Sequence, residues 1–424
     1  MKIIKTLGAA LVALASVGIA SAQVNIKITG STAFRKAAYF SIVDSLNNVK
    51  IATTAASGGD MTGAAQAVIV GTGKSSSSYS GQTVTVQTAF AGSVGGINAT
   101  ANSLSTIPGS GFANNATWLS ASNITSSTPL ATVNTGTGTI TGFTTVAASS
   151  STCDAAAIPN ATFSDSFQSS SPFPTPALND ENPAGLGVGV VQFFWVKEND
   201  TGNSVAASLT NISSMQANLL LSAGILPLSV FTGNPADGAT DVVLVGRNND
   251  SGTRLDTEAE SFSGSGSFGF GNSIESQYQP IITSGKVSGT NSVGDAGYSS
   301  GGNVAAALAG IQSAGATDSN GSPFIFVGYV GKSDTKTAVA GGATVLSYNG
   351  VTYPYTSSDA VVQNGAYSFW SYEHIYYKSG LSTGQVALAK DIGNQLRTVD
   401  VAQSGISIAS MNVSRSIEGG TVSP

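Results

Sequence analysis

Cysteine and histidine are almost missing from this 424-residue chain, which contains only Cys153 and His374. A single cysteine excludes an internal disulfide, so the folded core must be stable without one. One cysteine and one histidine also leave too few soft ligands for a zinc or copper site. We therefore expect no metal site and no cofactor.

Charged residues are scarce as well, at 9% of the chain. Aspartate and glutamate (23) outnumber lysine and arginine (17), which gives a formal net charge of −6. Binding to nucleic acid requires a basic surface, so this balance argues against a nucleic-acid partner. From Ser75 through Cys153 the chain has no charged side chain at all.

Beyond its first residues the chain has no apolar run of the roughly 20 residues that a membrane span needs. At the start, Lys2 and Lys5 precede an apolar run over residues 7–20, and small residues follow at Ala20-Ser21-Ala22. This pattern predicts a cleaved signal peptide over residues 1–22, the alternative being a buried helix. We expect a periplasmic or secreted monomer without a lipid or membrane anchor.

Glycine, serine and threonine are abundant, and one unit recurs along the chain: a short apolar strand, a Gly/Ser turn, then a helix. Strands are predicted at residues 24–28, 81–90 and 241–246, and helices near 34–46, 255–262, 301–310 and 383–396. Thr383 is the expected cap of the last helix. This alternation predicts an α/β protein with mainly parallel sheets. The charge-free segment of about residues 97–152 is predicted to be an insertion of strands, loops and hairpins.

Each strand–turn–helix unit points backbone N–H groups and the positive end of a helix toward the carboxyl edge of the sheet. A tetrahedral oxyanion fits there, because glycine permits close approach and Ser or Thr adds a hydroxyl donor. The turn from Arg247 to Thr253 is the most specific of these units. Arg247 ends a strong strand, where its guanidinium can reach two anion oxygens. Ser251, Gly252 and Thr253 would supply donors from the first helical turn.

In this turn the chain resembles the periplasmic phosphate-binding proteins of ABC transporters, which have Arg, three residues and then Ser-Gly-Thr. Residues 91–96 (AGSVGG) are similar to the family's Gly-Ser-Ser-Gly-Gly turn, and the likeness implies that Ser93 binds the anion. Residues 162–166 (TFSDS) resemble the segment with a buried anion-contacting aspartate, which would be Asp165. Residues 29–34 (TGSTAF) are similar to the first loop, and imply donors from Ser31, Thr32 or Phe34.

The resemblance implies a class II periplasmic-binding-protein fold with the ligand between two lobes. Lobe one would comprise residues 23–193 and 370–424, and lobe two residues 194–369. Residues 187–196, 324–330 and 367–377 resemble strands at the lobe crossovers, and two crossover strands would form the hinge.

An aspartate that faces an anion is sensible when the ligand carries a proton, as phosphate does near neutral pH. Asp165 can accept that proton in a hydrogen bond, whereas fully ionised sulfate would only be repelled. The same residues also have structural interpretations. Arg247 would be a surface arginine paired with Asp250 or Asp256, Ser93 and Ser31 would be helix caps, and Asp165 would lie in a surface turn.

Together these features predict a binding protein, not an enzyme, that captures phosphate or a similar oxyanion for an ABC transporter permease. Two alternatives remain. The charge-free insertion is compatible with a surface or matrix protein that uses the same fold for adhesion. A secreted phosphatase would use the same anion pocket, although the sequence shows no metal set or activated nucleophile for it. The ligand itself stays open among phosphate, a phosphorylated small molecule and another oxyanion.

Overall fold

A computed structural model describes residues 23–424 apart from 55–58, 106–117, 148–151, 156, 183–185, 200, 202, 262–273, 275 and 357. The predicted signal peptide lies outside the described residues. None of the described helices is long and apolar enough to cross a membrane.

Strands and helices alternate over most of the described chain, which confirms the predicted α/β class. The strands of the first part are β1 (Gln23–Gly30), β2 (Leu46–Thr53), β3 (Gln66–Gly73), β4 (Thr83–Phe90), β5 (Trp118–Leu119), β6 (Thr132–Asn134), β7 (Thr139–Thr141), β8 (Thr144–Thr145), β9 (Cys153–Asp154), β10 (Ala161–Ser164) and β11 (Asn179–Asp180). Those of the second part are β12 (Gly189–Lys197), β13 (Asn211–Ile212), β14 (Ile225–Pro227), β15 (Asp241–Val245), β16 (Gln277–Thr283), β17 (Lys286–Gly294), β18 (Gln312–Thr317), β19 (Phe324–Gly331), β20 (Thr344–Val345), β21 (Ser347–Tyr348) and β22 (Trp370–Tyr377). The α-helices are α1 (Arg35–Asp44), α2 (Ser93–Ala101), α3 (Ser214–Ala223), α4 (Ser229–Thr232), α5 (Gly252–Ser261), α6 (Gly301–Leu308), α7 (Lys332–Ala340), α8 (Ala360–Gln363) and α9 (Thr383–Thr398).

One large mixed sheet runs through the molecule in the order β14-β15-β19-β12-β22-β10-β1-β4-β3-β2-β8. The predicted parallel pairing occurs where strands lead into the candidate site: β1 is parallel to β4 and β10, and β15 is parallel to β19. Antiparallel pairs surround β12 and β22 and link β2, β3 and β4. The parallel pairs place the carboxyl ends of their strands at common edges, which brings the site turns together.

Strands β12 and β22 join the two lobes of this sheet. β12 pairs with β22 over Gly189–Gln192 and with β19 over Phe193–Lys197. β22 in turn pairs with β12 over Trp370–Glu373 and with β10 over His374–Tyr377. Every residue of β12 is buried, as its apolar sequence requires of a central strand. The predicted lobe limits at residues 193/194 and 369/370 remain predictions.

The cap of the last long helix differs from the prediction. Ser382, not Thr383, is the N-cap of α9, and its hydroxyl accepts a hydrogen bond from the Gln385 amide. The Gln385 side chain returns a hydrogen bond to the Ser382 backbone, which completes a capping box. Thr383 is already the first helical residue, because the extended backbone needed for capping falls one position earlier.

The insertion consists of short strands in its described part, with a β6–β7 hairpin, a β5–β9 pair and β8 at the edge of the large sheet. Its predicted start is too early. Helix α2 continues through Ala101, because Ile97, Ala99 and Thr100 are buried and extend the packed face of the helix.

Candidate anion site

Four turns meet at the carboxyl edges of parallel strands and carry all the predicted site residues. They follow β1, β4, β10 and β15, and three of them lead into the helices α1, α2 and α5. Glycine is required at two of the turns. Gly30 and Gly92 have φ values of 112° and 117°, in a region that side chains disfavour, and the Gly92 amide donates to the Gly30 carbonyl at 2.9 Å.

Arg247 follows β15 and is the charged centre of the site. Its side chain is only 1% exposed, which excludes the surface arginine of the structural interpretation. Its Nε donates to the Tyr298 carbonyl at 3.1 Å, and its Nη2 to the Ser299 carbonyl at 3.1 Å and to Thr32 Oγ1 at 3.3 Å. In the described part of the chain no carboxylate forms an ion pair with it. The backbone carbonyls therefore fix the guanidinium without neutralising it.

Asp165 lies in the turn after β10 and is also 1% exposed, so the surface-turn interpretation is wrong. Both of its carboxylate oxygens accept hydrogen bonds from hydroxyl groups: Oδ1 from Ser93 Oγ, and Oδ2 from Thr253 Oγ1 at 3.0 Å. Ser93 begins α2 and Thr253 lies in the first turn of α5. The carboxylate thus connects the two turns that the sequence predicts to hold an anion.

The N-termini of α2 and α5 contact each other directly. The Gly95 amide of α2 donates to the Asp250 carbonyl, just before α5, at 3.0 Å. A Cβ atom at Gly92 would lie 2.2 Å from the same carbonyl oxygen, and one at Gly252 would lie 1.8 Å from Asp165 Oδ1. Only glycine permits this approach, which brings two positive helix ends to one point.

The remaining predicted residues lie in the same region, with different partners. Ser31 is 1% exposed, and its Oγ accepts a hydrogen bond from the Phe34 amide at 3.4 Å within the turn before α1. Phe34 is the N-cap of α1 and has no side-chain capping hydrogen bond, so the helix-cap interpretation of Ser31 is wrong. Thr32 faces Arg247 as described above. The Phe34 side chain is fully buried in the core, so only its amide belongs to the site. Ser251 Oγ accepts from the Arg254 amide at 3.2 Å and caps α5.

Electrostatics in the site combine the buried guanidinium of Arg247 with several carboxyl groups. Burial lowers the pKa of Arg247, and the charges of Asp334 and Asp165 oppose this shift. Burial raises the pKa of Asp165, against hydrogen bonds from Ser93 and Thr253 and the charge of Arg247. Burial likewise raises the pKa of Asp250 to about 6, and Arg247 again opposes the shift.

Several residues of the site were not selected from the sequence. Ser166 is fully buried beside Gly252, and its hydroxyl has no hydrogen-bond partner among the described residues. Burial raises the pKa of Asp334, and the nearby charges of Arg35 and Arg247 oppose this shift. Of these two residues, only Ser166 could have been selected from the sequence, because it lies in the same turn as Asp165. Tyr298 and Ser299 act through their carbonyls, which every residue type has, so no signal marks them.

The described fold is similar to solved structures of binding proteins. A protein from Clostridium perfringens, described as a phosphate ABC transporter substrate-binding protein with bound phosphate, shares 12% identity at a TM-score of 0.44, with 91% of this chain and 99% of that chain covered. PstS from Borrelia burgdorferi shares 12% identity at a TM-score of 0.37, with 90% and 97% covered. A protein from Planctomyces limnophilus described as a possible phosphate binding protein shares 11% identity at a TM-score of 0.35, with 90% and 86% covered. No protein-family model matches the chain, and no curated protein does.

The described residues contain no group of three or more His, Cys, Asp or Glu side chains arranged to hold a metal ion. His374, which has no triad partner in the sequence, lies within 2.9 Å of Asp180 through Nδ1 and stacks on Tyr376.

Proposed function

We propose that this protein binds phosphate or a phosphate-like oxyanion between its two lobes, with Arg247 as the main cationic ligand. The observation that carries the proposal is the buried guanidinium itself. Arg247 Nε donates to the Tyr298 carbonyl and Nη2 donates to the Ser299 carbonyl. Among the described residues, no carboxylate forms an ion pair with this guanidinium. A buried charge without a direct ion pair is costly, so a site of this kind is stabilised by an anion that contacts the guanidinium.

The surrounding donors suit a tetrahedral anion better than a planar one. They come from separate turns and so approach from several directions: Thr32 after β1, Ser93 at the start of α2, and Thr253 in α5. The unpartnered Ser166 hydroxyl adds a further donor beside Gly252. Ligand binding would draw the Ser93 and Thr253 hydroxyls, which now donate to Asp165, onto the oxyanion.

Among tetrahedral oxyanions, Asp165 favours one that carries a proton. A buried carboxyl can accept a hydrogen bond from the proton of hydrogen phosphate but repels sulfate, which has no proton to donate. Export through the predicted signal peptide and delivery to an ABC transporter permease are the further steps of the proposal. In that role, lobe closure around the anion would be the signal that a permease reads.

Calorimetric titration of the purified protein with phosphate, sulfate and molybdate tests this function. We expect phosphate to bind most tightly and Arg247→Ala to lose binding while keeping its folded circular-dichroism spectrum. Arg397→Ala is the matched control, because Arg397 pairs with Glu181 away from the site. Undiminished phosphate binding by Arg247→Ala would show that the pocket lies elsewhere, and absence of binding by the unaltered protein would contradict the function.

A further inference from the structure

The C-terminal segment of the chain folds back against two elements of the anion site, and the proposed function leaves it unused. The Ser414 amide donates to the Ser423 carbonyl at 2.8 Å, and the Ser423 amide donates back to the Ser414 carbonyl at 3.0 Å. We call residues 414–423 the C-terminal hairpin. It carries two buried charged side chains, Arg415 and Glu418, which are 5% and 1% exposed. Neither is a candidate ligand of the oxyanion, so another role must account for their burial.

Glu418 holds the turn that carries Asp165. Its Oε1 accepts a hydrogen bond from the Phe167 amide, and its Oε2 accepts one from the Ser170 hydroxyl. Water competes little for hydrogen bonds between buried groups, so the two contacts restrain the turn firmly. Because Asp165 lies only two residues before Phe167, the position of its carboxylate in the anion site depends on this restraint.

Arg415 fastens the same hairpin to α5, whose first turn belongs to the other half of the anion site. Its Nη1 donates to Oε2 of Glu260, in the last turn of α5, at 3.1 Å, and its Nη2 donates to the Ser368 carbonyl. The guanidinium also lies over the Trp370 ring, with Cζ 4.2 Å from the ring centre, a geometry that attracts a cation. These three contacts hold one end of the hairpin in place.

Only two residues separate Arg415 from Glu418, so the hairpin joins its two sets of contacts over a short span of chain. A further contact lies beside them: Gly419 has a φ of 61°, and a Cβ atom there would lie 2.2 Å from the Ala259 carbonyl oxygen of α5. In the proposed division of the chain, the Asp165 turn belongs to lobe one and α5 to lobe two. The hairpin would then connect the lobes at a place separate from the hinge strands β12 and β22.

We propose that the C-terminal hairpin is a clasp between the Asp165 turn and α5, in which Glu418 and Arg415 are positioning residues that slow the release of a bound oxyanion. This inference rests on the proposed function and deepens it by assigning the control of ligand release. Neither residue contacts the ligand. The two halves of the site must separate before the ligand can leave, and separation requires one end of the clasp to detach.

The test is the dissociation rate constant of radiolabelled inorganic phosphate, measured by adding an excess of unlabelled phosphate. Glu418→Ala removes both contacts with the Asp165 turn. Arg415→Met removes the contacts with α5 and keeps an apolar stem beside Trp370. We expect each variant to release phosphate about tenfold faster than the unaltered protein, which corresponds to the loss of about one net hydrogen bond.

Two control variants separate the clasp from a general effect of substitution. Arg397→Met removes another buried-acid contact, with Glu181, but both residues lie in the predicted lobe one, so the release rate should not change. Glu418→Gln keeps an oxygen that can accept from the Phe167 amide and an amide that can donate to Ser170 Oγ. It should therefore release phosphate at close to the unaltered rate.

The protein with both Glu418→Ala and Arg415→Met distinguishes a clasp from two independent contacts. The ends of a clasp act in series, so loss of either end releases it and the second substitution should add nothing. We expect the double variant to release phosphate no faster than the single variants. Multiplied effects, about a hundredfold together, would overturn the clasp, and so would an unaltered rate in both single variants.

If Glu418→Ala does not fold, Ser170→Ala takes its place, because it removes one of the two Glu418 contacts from the other side. It should also speed release, by a smaller factor, and an unaltered rate in Ser170→Ala would contradict the proposal. Failure of the unaltered protein to bind phosphate would instead remove the proposed function, and this inference with it.

Discussion

At the scale of single residues, the chemistry of the site depends on where protons lie. Asp165 accepts hydrogen bonds from Ser93 and Thr253, two neutral hydroxyls that are also the donors an oxyanion would use. The carboxylate therefore holds these hydroxyls in place and competes with any ligand for their protons. A ligand that brings its own proton can satisfy the carboxylate and release both hydroxyls, whereas a fully ionised ligand cannot.

Asp165→Asn should reduce the preference for phosphate over sulfate. The asparagine amide can donate to a fully ionised oxyanion, so sulfate affinity should rise. Loss of the negative charge and of one of the two acceptor oxygens should weaken phosphate binding about tenfold. Calorimetric titration with both anions measures the ratio. Asp154→Asn serves as a control, because Asp154 accepts from Gln87 in a separate polar cavity below the insertion. An unchanged ratio in Asp165→Asn would show that Asp165 does not select the ligand.

At the scale of elements, the contact between α2 and α5 depends on the absence of side chains. Gly252 begins α5 against Asp165 and Ser93, and Gly92 and Gly95 meet Asp250 just before α5. Under the proposed function these contacts join the two lobes, so their loss should affect closure more than folding.

Gly252→Ala should weaken phosphate binding by about a hundredfold or more. Its methyl group would lie 1.8 Å from Asp165 Oδ1 and 2.7 Å from Ser93 Cβ, so either the two turns separate or Asp165 leaves its hydrogen bonds, and both changes disrupt the site. Alanine favours helix in α5, so thermal stability should be retained. Gly63→Ala is the matched control, because a Cβ there meets no atom within 4 Å. Tight phosphate binding by Gly252→Ala would contradict the closed contact.

The capping of α9 gives a stability test that separates two neighbouring hydroxyls. Ser382→Ala removes the capping box and should lower the free energy of unfolding by about 1 kcal/mol. Thr383→Ala alters a helical residue that is not the cap and should change it by much less. Urea denaturation of the two variants measures the difference. Equal effects would mean that the helix begins elsewhere.

The sequence predicted the turns that carry the site, but not the residues that pack around those turns. Arg247 could be found without a structure, because it ends a strand and precedes a Ser-Gly-Thr turn, whereas Ser93 and Asp165 were indicated by the resemblance of their segments to a known family. Glu418 could not be found, because nothing in the sequence of the C-terminal segment marks one acidic residue as buried. The carbonyls that anchor Arg247 come from residues about 50 positions later, a contact that only the tertiary fold creates.

At the scale of the whole molecule, buried carboxyl groups couple stability to pH. Burial raises the pKa values of Asp165, Asp256, Glu373 and Glu418. The unfolded chain has pKa values of about 3.9 for Asp and about 4.3 for Glu, so above this range the folded state binds more protons than the unfolded state. The free energy of unfolding should therefore fall as the pH rises from about 4 toward the folded-state values.

Asp256→Asn should flatten this decline. Each such carboxyl contributes up to about 1.4 kcal/mol per pH unit to the slope, and Asp256, with no hydrogen bond to either oxygen in the described chain, should contribute strongly. Urea denaturation at several pH values measures the slope for both proteins. Asp237→Asn, at an exposed turn paired with Thr232, is the control. A variant slope equal to that of the unaltered protein would show that Asp256 ionises freely in the folded state.

The most direct measurement of the central claim is a crystal structure of the protein grown with inorganic phosphate. The account predicts one phosphate ion between the lobes, hydrogen-bonded to the Arg247 guanidinium, to donors of the α2 and α5 turns, and to an oxygen of Asp165. A phosphate ion bound elsewhere, with Arg247 still held only by Tyr298, Ser299 and Thr32, would contradict it.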